Sequence, residues 1–221
     1  MKEKRKVNEL LLNGQHLCCN GTNIEVLCFL GKGRGGYSYL VLYGGKKMVL
    51  KKYHYEPCEV YTFEKNKLEA ELRDYKKLAG LHIPMPVLVD INYEEQYIIK
   101  EYIEGPTLAE LIAEGKLSFR YYLQMRELCK ILYKARLNID YMPQNFVARD
   151  GRFFYIDFER NPYSNEWDFE HWGIYFWVNR SGMKEYIKTL DHKYLSKMGK
   201  PLHTPANDLK AKLILFILHF V

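Results

Sequence analysis

The chain has 221 residues, with 33 lysines and arginines against 27 acidic residues, and a formal net charge of +6. This modest, dispersed positive charge does not favour nucleic acid as a partner, and five cysteines without a C-x-x-C pair argue against a disulfide framework or a zinc site. A chain of this length can bury one substantial core, so we expect one two-lobed unit. Unpaired thiols are typical of a reducing compartment, and we expect a cytoplasmic protein.

The first pattern along the chain is the glycine-rich run Gly31-Lys-Gly33-Arg-Gly35-Gly36. It lies between two apolar, strand-forming stretches, residues 24–30 and 37–43, and the second of these ends in a predicted turn at Gly44-Gly45. A dinucleotide-binding glycine motif is followed by a helix, whereas here a strand follows. The run therefore predicts a loop that covers phosphates between two strands.

A lysine strand and a helix follow that hairpin. Met48-Val-Leu-Lys51 alternates as a strand does, which places Lys51 on the face opposite Leu50 and favours it over Lys52 as a phosphate ligand. Residues 63–78 carry apolar side chains at helical spacing and end at Gly80. Two glutamates on this helix, Glu69 and Glu71, are candidate partners for the lysine.

The second half of the chain begins with two short strands and continues with helices and a hairpin. A turn at Asp150-Gly151 marks the hairpin. The predicted strands are residues 87–89, 96–99, 146–148 and 153–156, and the predicted helices are residues 108–114 and 119–136.

The most informative stretch is Asn138-Ile-Asp-Tyr-Met-Pro-Gln-Asn145, followed by Tyr155-Ile-Asp157-Phe-Glu159. Phosphoryl transfer from Mg-ATP needs a carboxylate to accept the hydroxyl proton and oxygen ligands to hold magnesium against the phosphates. Asp140, Asn145 and Asp157 can supply these groups. An Asp-x4-Asn spacing is common, but it becomes fairly specific just before a hairpin that ends in Ile-Asp-Phe.

Taken in order, these motifs resemble those of the protein-kinase-like superfamily, over roughly residues 24–177. The resemblance implies an α+β, two-lobed protein-kinase-like fold. It predicts an N-lobe over residues 1–100, built of an antiparallel β-sheet and a helix named helix C in kinases. A hinge over residues 101–105 and a mainly helical C-lobe over residues 106–221 follow.

The resemblance also assigns roles in a reaction that uses ATP and Mg²⁺. Asp140 would orient the acceptor hydroxyl and take its proton, and Asp168 would brace the catalytic loop by accepting backbone hydrogen bonds, unless it only caps a helix. Glu71 is preferred over Glu69 because Tyr75 follows it by four positions, as kinases require. Gly31, Gly33 and Gly36 would cover the phosphates, and Lys51, held by Glu71, would bind them. The backbone of Glu101 and Ile103 would bind adenine, and Lys100 falls near the gatekeeper position, whose residue normally touches adenine. Asn145 and Asp157 would bind magnesium.

Departures from the eukaryotic protein-kinase pattern narrow the class. Asn138, Ile139 and Glu159 stand where His, Arg and Gly are usual, and Met142 replaces a Lys or His. The interval from Asp157 to Asp168 is too short for the segment that seats a peptide substrate. Ile-Asp-Phe-Glu is similar to the metal motif of choline kinases and aminoglycoside phosphotransferases, and the short segment is shared with the compact RIO kinases.

The acceptor follows less directly from the sequence. Acids and aromatic rings after the metal motif could bind a cationic alcohol, or they could be C-lobe core. We expect a hydroxylated small molecule as acceptor. A RIO-like Ser/Thr kinase that acts on a single protein and a pseudokinase that binds nucleotide without transfer remain alternatives. The residues concerned are Glu159, Tyr163, Glu166, Trp167, Trp172 and Trp177.

The two ends of the chain carry contrasting patterns. Residues 1–6 are basic but do not form a convincing signal peptide. Residues 213–221 are strongly apolar yet far shorter than a membrane span, so no membrane span is expected. We predict that they form a helix packed on the C-lobe; a surface for a partner, or part of a longer tail, are the alternatives.

Overall fold

The computed structural model describes residues 11–33, 35–56 and 66–220. It is an α+β structure that divides into two compact units. Unit 1 contains the described residues up to Arg73 together with Pro86–Tyr102, and unit 2 contains Asp74–Met85 and the residues from Ile103 onward. Residues 74–85 therefore group with unit 2, whereas the sequence placed them in an N-lobe over residues 1–100.

Unit 1 is built on a six-stranded antiparallel sheet, which confirms that part of the expected fold. The spatial order of its strands is β1-β2-β3-β4-β6-β5. Gly44 and Gly45, with φ values of 56° and 79°, form the tight turn between β3 and β4 as predicted. The strands are β1 (His16–Cys19), β2 (Thr22–Lys32), β3 (Gly36–Tyr43), β4 (Lys46–Tyr53), β5 (Leu88–Asn92) and β6 (Tyr97–Glu101).

One face of this sheet forms the apolar core of unit 1. Alternate residues of β2 and β3 point into it, as the period-two pattern requires. Leu50 is fully buried there, whereas Lys51 is only partly buried. The core side chains include Ile24, Val26, Tyr39, Val41, Leu50 and Ile99.

Helix α1 (Lys67–Ala79) follows β4 in the chain. The sequence predicted a helix from residue 63, and residues 63–65 lie outside the described residues. Leu68 and Leu78 are fully buried and Leu72 is nearly so, which accounts for the helical spacing of the apolar positions. Asn66 accepts a hydrogen bond from the backbone of Glu69 through its side-chain oxygen, as an N-cap residue does.

Unit 2 is mainly helical, and its first two helices have clear boundary signals. Thr107 and Glu110 form a capping box at the start of α2, and Gly115 ends that helix in the left-handed region. Ser118 caps α3. The helices of unit 2 are α2 (Leu108–Glu114), α3 (Phe119–Lys134), α4 (Ile174–Val178), α5 (Arg180–Thr189) and α6 (Pro205–Phe220).

Three short antiparallel strand pairs complete unit 2. The pair that matters for the site is the predicted hairpin, whose turn residues Asp150 and Gly151 have φ values of 53° and 72°. The pairs are β7 (Leu137–Ile139) with β10 (Arg160–Pro162), β8 (Phe146–Arg149) with β9 (Arg152–Tyr155), and β11 (Ser196–Lys197) with β12 (Lys200–Pro201).

The C-terminal helix α6 packs on unit 2, as the sequence predicted. Ala211, Ile214 and Leu218 are buried members of the unit 2 core. The Leu218 carbonyl also accepts a hydrogen bond of 2.8 Å from Arg126 on α3. Within the described residues, no helix is both long and apolar enough to cross a membrane.

Candidate functional site

The glycine-rich run forms a tight turn between β2 and β3. The Gly33 backbone N–H donates to the Gly36 carbonyl at 2.9 Å, which closes the turn. Gly31 pairs with Ser38 at the end of the β2–β3 ladder. The structure therefore places Gly31, Gly33 and Gly36 within one strand–turn–strand element of unit 1.

The glycines in this turn are not equivalent. A Cβ atom at Gly36 would lie 2.6 Å from the Lys52 carbonyl oxygen, closer than a Cβ can approach without a shift of backbone. A Cβ at Gly31 would meet no atom of the described residues within 4 Å. Gly36 is therefore required by the packing of β3 on β4, whereas the space beside Gly31 is open to a bound molecule.

His54, immediately after β4, forms two hydrogen bonds with this turn. Its Nε2 lies 3.1 Å from the Gly33 carbonyl, and its backbone N–H donates to the Gly35 carbonyl at 3.2 Å. Burial lowers the pKa of the His54 imidazole, which keeps the ring neutral. A neutral ring that donates through Nε2 leaves Nδ1 to accept from the Glu56 backbone N–H, which lies 3.4 Å away.

Glu56 adds a charged contact to the same turn. Its carboxylate accepts hydrogen bonds from Lys32, at 2.6 Å, and from the Tyr37 hydroxyl. These two donors lower the pKa of Glu56 to about 2. The Lys32 ammonium group is thus already engaged by a carboxylate of unit 1.

Lys51 and Glu71 form the main ion pair of unit 1. Lys51 Nζ lies 2.6 Å from Glu71 Oε2, and the two side chains are only 14% and 11% exposed. The other candidate, Glu69, is exposed on α1. Glu71 Oε1 is buried and has no hydrogen-bond partner among the described residues.

The predicted hinge residues fall at the end of unit 1 and the start of unit 2. Glu101 is the last residue of β6, and its backbone N–H donates to the Val87 carbonyl at 2.8 Å. Lys100, at the expected gatekeeper position, is 6% exposed. Ile103 is buried in unit 2. Adenine binding by Glu101 and Ile103 stays a prediction.

The predicted catalytic loop of unit 2, residues 138–145, is fixed by its own hydrogen bonds. Asp140 Oδ1 accepts from the Met142 backbone N–H at 3.0 Å. A 3-10 turn over Pro143–Asn145 follows, closed by a 2.9 Å bond from the Asn145 N–H to the Met142 carbonyl. The Asn145 side-chain nitrogen lies 3.4 Å from the Asp140 carbonyl, which directs the amide oxygen away from that carbonyl.

The segment that carries Asp157 is held against the catalytic loop. The Ile156 N–H donates to the Asn145 carbonyl at 2.9 Å, one residue before Asp157. Phe158 is fully buried and contacts the Tyr75 ring of α1, with ring centroids 4.7 Å apart and a tilt of 48° between the ring planes. Unit 2 thus brings Asp140, Asn145 and Asp157 into one neighbourhood.

Tyr155 lies near several carboxylates, and the pKa of its hydroxyl shows their effect. Burial raises the pKa of its phenol, and the carboxylates of Asp157, Asp140 and Glu159 raise it further. The Tyr155 hydroxyl donates to the Glu159 carbonyl at 2.8 Å. The three carboxylates therefore lie close enough to Tyr155 to act on the pKa of its hydroxyl.

The donors present fit magnesium, but only in part. Among the described residues, no group of three or more His, Cys, Asp or Glu could hold a metal ion alone. Magnesium, however, is usually bound by one or two carboxylates together with phosphate oxygens and waters. The Asp157 carboxylate and the Asn145 amide oxygen suit such a site, in which a nucleotide completes the coordination.

Two residues that the sequence did not single out for this role support the catalytic loop. The Trp177 indole N–H donates to the Tyr141 carbonyl at 2.9 Å, and Trp177 is 1% exposed. Asn138, also buried, donates to the Ser164 carbonyl at 2.8 Å. The only sequence signal was Asn138 at the usual His position.

The brace expected from Asp168 was wrong. Its carboxylate accepts from the backbone N–H of His171 at 2.8 Å and from the Tyr163 hydroxyl at 3.3 Å, and both donors belong to its own segment. Asp168 therefore caps the π-helical turn Phe169–Gly173, which was the alternative. In the described part of the chain, no backbone hydrogen bond from the catalytic loop to this carboxylate is present.

The aromatic residues after the metal motif do not form one pocket. Trp177 belongs to the unit 2 core, where it contacts Phe146 and Phe169. Trp167 is 41% exposed and lies 5.8 Å from Trp172, ring centroid to ring centroid. The core interpretation thus holds for Trp177, whereas Tyr163, Trp167 and Trp172 face solvent at least in part.

Comparison with known proteins gives a partial similarity. No protein-family profile matches the chain. A curated relative from Methanobrevibacter smithii, a probable bifunctional tRNA threonylcarbamoyladenosine biosynthesis protein, is 28% identical over 134 residues. The matched region is 61% of this chain and 23% of the relative, so the chain spans about a quarter of the length of that protein. This similarity and the α+β architecture are compatible with a kinase-like fold.

Proposed function

We propose that the chain has a protein-kinase-like fold and transfers the γ-phosphate of Mg-ATP to a hydroxyl group. The observation that carries the proposal is the short, largely buried Lys51–Glu71 ion pair on the strand and helix where a kinase needs them. The pair fixes a lysine ammonium group on a largely buried side chain, and a cation held in place in this way is what binding of ATP phosphates requires.

Each unit supplies a distinct part of the reaction. In unit 1, Gly31, Gly33 and Gly36 cover the phosphates and Lys51 neutralises their charge. In unit 2, Asp157 and Asn145 hold Mg²⁺, which supplies charge stabilisation when it is bound. Asp140 orients the acceptor hydroxyl and receives its proton. Glu101 and Ile103 contribute backbone groups to adenine.

For the acceptor we favour a protein hydroxyl over a small molecule. The burial of Trp177 removes a central wall of the aromatic pocket that supported a cationic alcohol. The short interval between Asp157 and Asp168 is shared with the compact RIO kinases. The archaeal relative is a probable bifunctional tRNA threonylcarbamoyladenosine biosynthesis protein, so we include proteins of that process among the acceptors to be tested.

The test is a transfer assay with γ-labelled ATP. Wild-type protein is incubated with Mg-ATP alone, with choline, aminoglycosides and sugars, and with candidate protein acceptors. The proposal expects labelled protein, including self-labelling, that disappears in Lys51→Met but persists in Lys47→Met, a matched change on the same strand. Label only on a small molecule would restore the first acceptor hypothesis, and no label on any acceptor would contradict transfer.

A further inference from the structure

Helix α6 has two apolar faces. One face is buried in unit 2 through Ala211, Ile214 and Leu218. A second line of apolar side chains recurs at positions i, i+4, i+7 and i+11, which places them on one side of a helix. We call this line the α6 seam, and it consists of Leu209, Leu213, Phe216 and Phe220.

The α6 seam lies in solvent. Its four side chains are 70%, 57%, 63% and 71% exposed in chain order, and the Phe216 and Phe220 rings contact each other at 4.8 Å between centroids. Single exposed apolar residues are common, but a continuous line over about 17 Å of helix is typical of a surface that becomes covered. The proposed transfer reaction does not use this helix.

The charges beside the α6 seam are basic. Lys210 and Lys212 are exposed and lie on opposite flanks of the seam. The acid of the same helix, Asp208, is contacted by His203 Nδ1 at 2.8 Å. Lys210 also lines a 220 Å³ cavity with Arg180, over a floor that includes Phe119 and Ile214. An apolar line flanked by cations, next to an apolar cavity with two cations at its edge, is complementary to an anionic amphipathic surface.

A second copy of the chain fits the seam less well. Two helices packed antiparallel through it would bring Lys210 and Lys212 beside Phe216 and His219 of the second copy, and neither of these side chains is an acid that could pair with them. Four mostly exposed side chains per copy would bury at most roughly 1,000 Å² in total, below the about 1,200–2,000 Å² of a stable interface. A partner of opposite charge is therefore favoured.

We propose that α6 docks, lying flat, on a membrane surface that carries anionic lipids. The four side chains of the seam enter the boundary between headgroups and acyl chains, and Lys210 and Lys212 extend along the flanks to lipid phosphates. This is peripheral binding through one face of a helix whose other face stays packed on unit 2.

Vesicle flotation with the full chain tests this docking. The vesicles are phosphatidylcholine alone, or phosphatidylcholine with about one third phosphatidylserine. Wild type is expected to float with the anionic vesicles only. The double variant Leu213→Gln/Phe216→Gln should bind them at least about tenfold more weakly, because two apolar side chains no longer insert. The double variant Lys210→Gln/Lys212→Gln should lose about fivefold per lysine and lose its salt dependence.

Controls separate docking from misfolding and from self-association. Met198→Gln removes an apolar side chain that is 94% exposed elsewhere in unit 2, and it should bind like wild type. All variants should melt within a few degrees of wild type, and the lysine variant carries the test if the seam variant does not fold. Wild type that stays in solution with anionic vesicles would overturn the proposal. So would vesicle binding that the seam variant retains, or a wild-type dimer that the seam variant converts to monomers without any vesicle binding.

Discussion

The glycine-rich turn at residues 33–36 continues a strand whose last residues are exposed, whereas the catalytic loop at residues 138–145 lies on a buried aromatic core. The turn is closed by one backbone bond of its own and held by His54. The loop has a 3-10 turn and hydrogen bonds to Ser164 and Ile156, and the Trp177 indole N–H donates to its Tyr141 carbonyl. The glycine-rich turn is therefore held by fewer hydrogen bonds than the catalytic loop.

In both elements, the residues with a proposed chemical role differ from the residues that stabilise the element. At the catalytic loop, the proposed chemical role belongs to Asp140, which is only partly buried. The stabilising role belongs to Trp177, which is buried. In the glycine turn the two roles lie on separate glycines, because Gly36 is crowded and Gly31 is not. Substitutions should therefore separate activity from stability in both elements.

The largest effect is expected from Asp140→Asn. The asparagine oxygen can still accept the Met142 N–H, so the loop should keep its shape. Loss of the proton acceptor should lower the transfer rate by about 10²–10⁴-fold, with an unchanged melting temperature. Asp150→Asn, at the left-handed turn of the neighbouring hairpin, is the matched control and should retain full activity. Comparable rates for the two variants would remove Asp140 from the mechanism.

Trp177→Phe should cost the most stability. The change leaves the Tyr141 carbonyl without its indole donor and opens space in the aromatic core. We expect the free energy of unfolding to fall by about 2–3 kcal/mol, measured by urea denaturation.

Trp167→Phe is the control for this change, because Trp167 is 41% exposed, and it should stay within about 0.5 kcal/mol of wild type. Equal losses in the two variants would mean that Trp177 does not support the loop in the way that its contacts indicate.

Gly36→Ala and Gly31→Ala should differ in their effects on stability, although both lie in the same strand–turn–strand element. The added methyl at position 36 meets the Lys52 carbonyl, so unfolding should become easier by about 1–3 kcal/mol. The same methyl at position 31 is accommodated, so stability should change by less than about 0.5 kcal/mol while ATP affinity falls. Calorimetric unfolding and nucleotide titration of both variants check this prediction, and the reverse order of stabilities would refute it.

The smallest effect concerns pH. Burial depresses the pKa of folded His54 below its ordinary value of 6.5, so the unfolded chain binds a proton more readily there. Stability from this residue should be complete above about pH 7.5 and decline as the pH falls through 6.5 toward the folded pKa. His54→Leu cannot titrate, so the stability gap between the two proteins should narrow on acidification. A gap that is constant with pH would show that His54 does not titrate differently in the two states.

Local patterns in the sequence predicted much of the fold. The bounds of α2 agree with the prediction, and those of β8 and β9 differ by a residue, because a capping box and a left-handed Asp-Gly turn define them locally. Glu71 could be preferred over Glu69 from its place relative to Tyr75, and the structure puts it on Lys51. That preference came from helical periodicity together with the resemblance to kinases, in which an apolar residue follows the glutamate by four positions.

The remaining features depend on contacts between residues far apart in sequence. Nothing near Trp177 indicates that its N–H reaches the Tyr141 carbonyl 36 residues away. Asp168 could brace the loop or cap its own turn, and only the packing of its segment decides for the cap. His54 likewise has no local motif, since its partner carbonyl at Gly33 is brought near by the pairing of β3 with β4.

The most direct test of the central claim is thermal melting of wild type and Asp157→Asn with ATP, with and without magnesium. Ligand at about a hundred times its dissociation constant should stabilise a binding protein by roughly 2.7 kcal/mol. We predict a rise in melting temperature for wild type that requires both ATP and magnesium. For Asp157→Asn we predict a rise in melting temperature that no longer depends on magnesium. No rise for wild type at saturating Mg-ATP would contradict the nucleotide site.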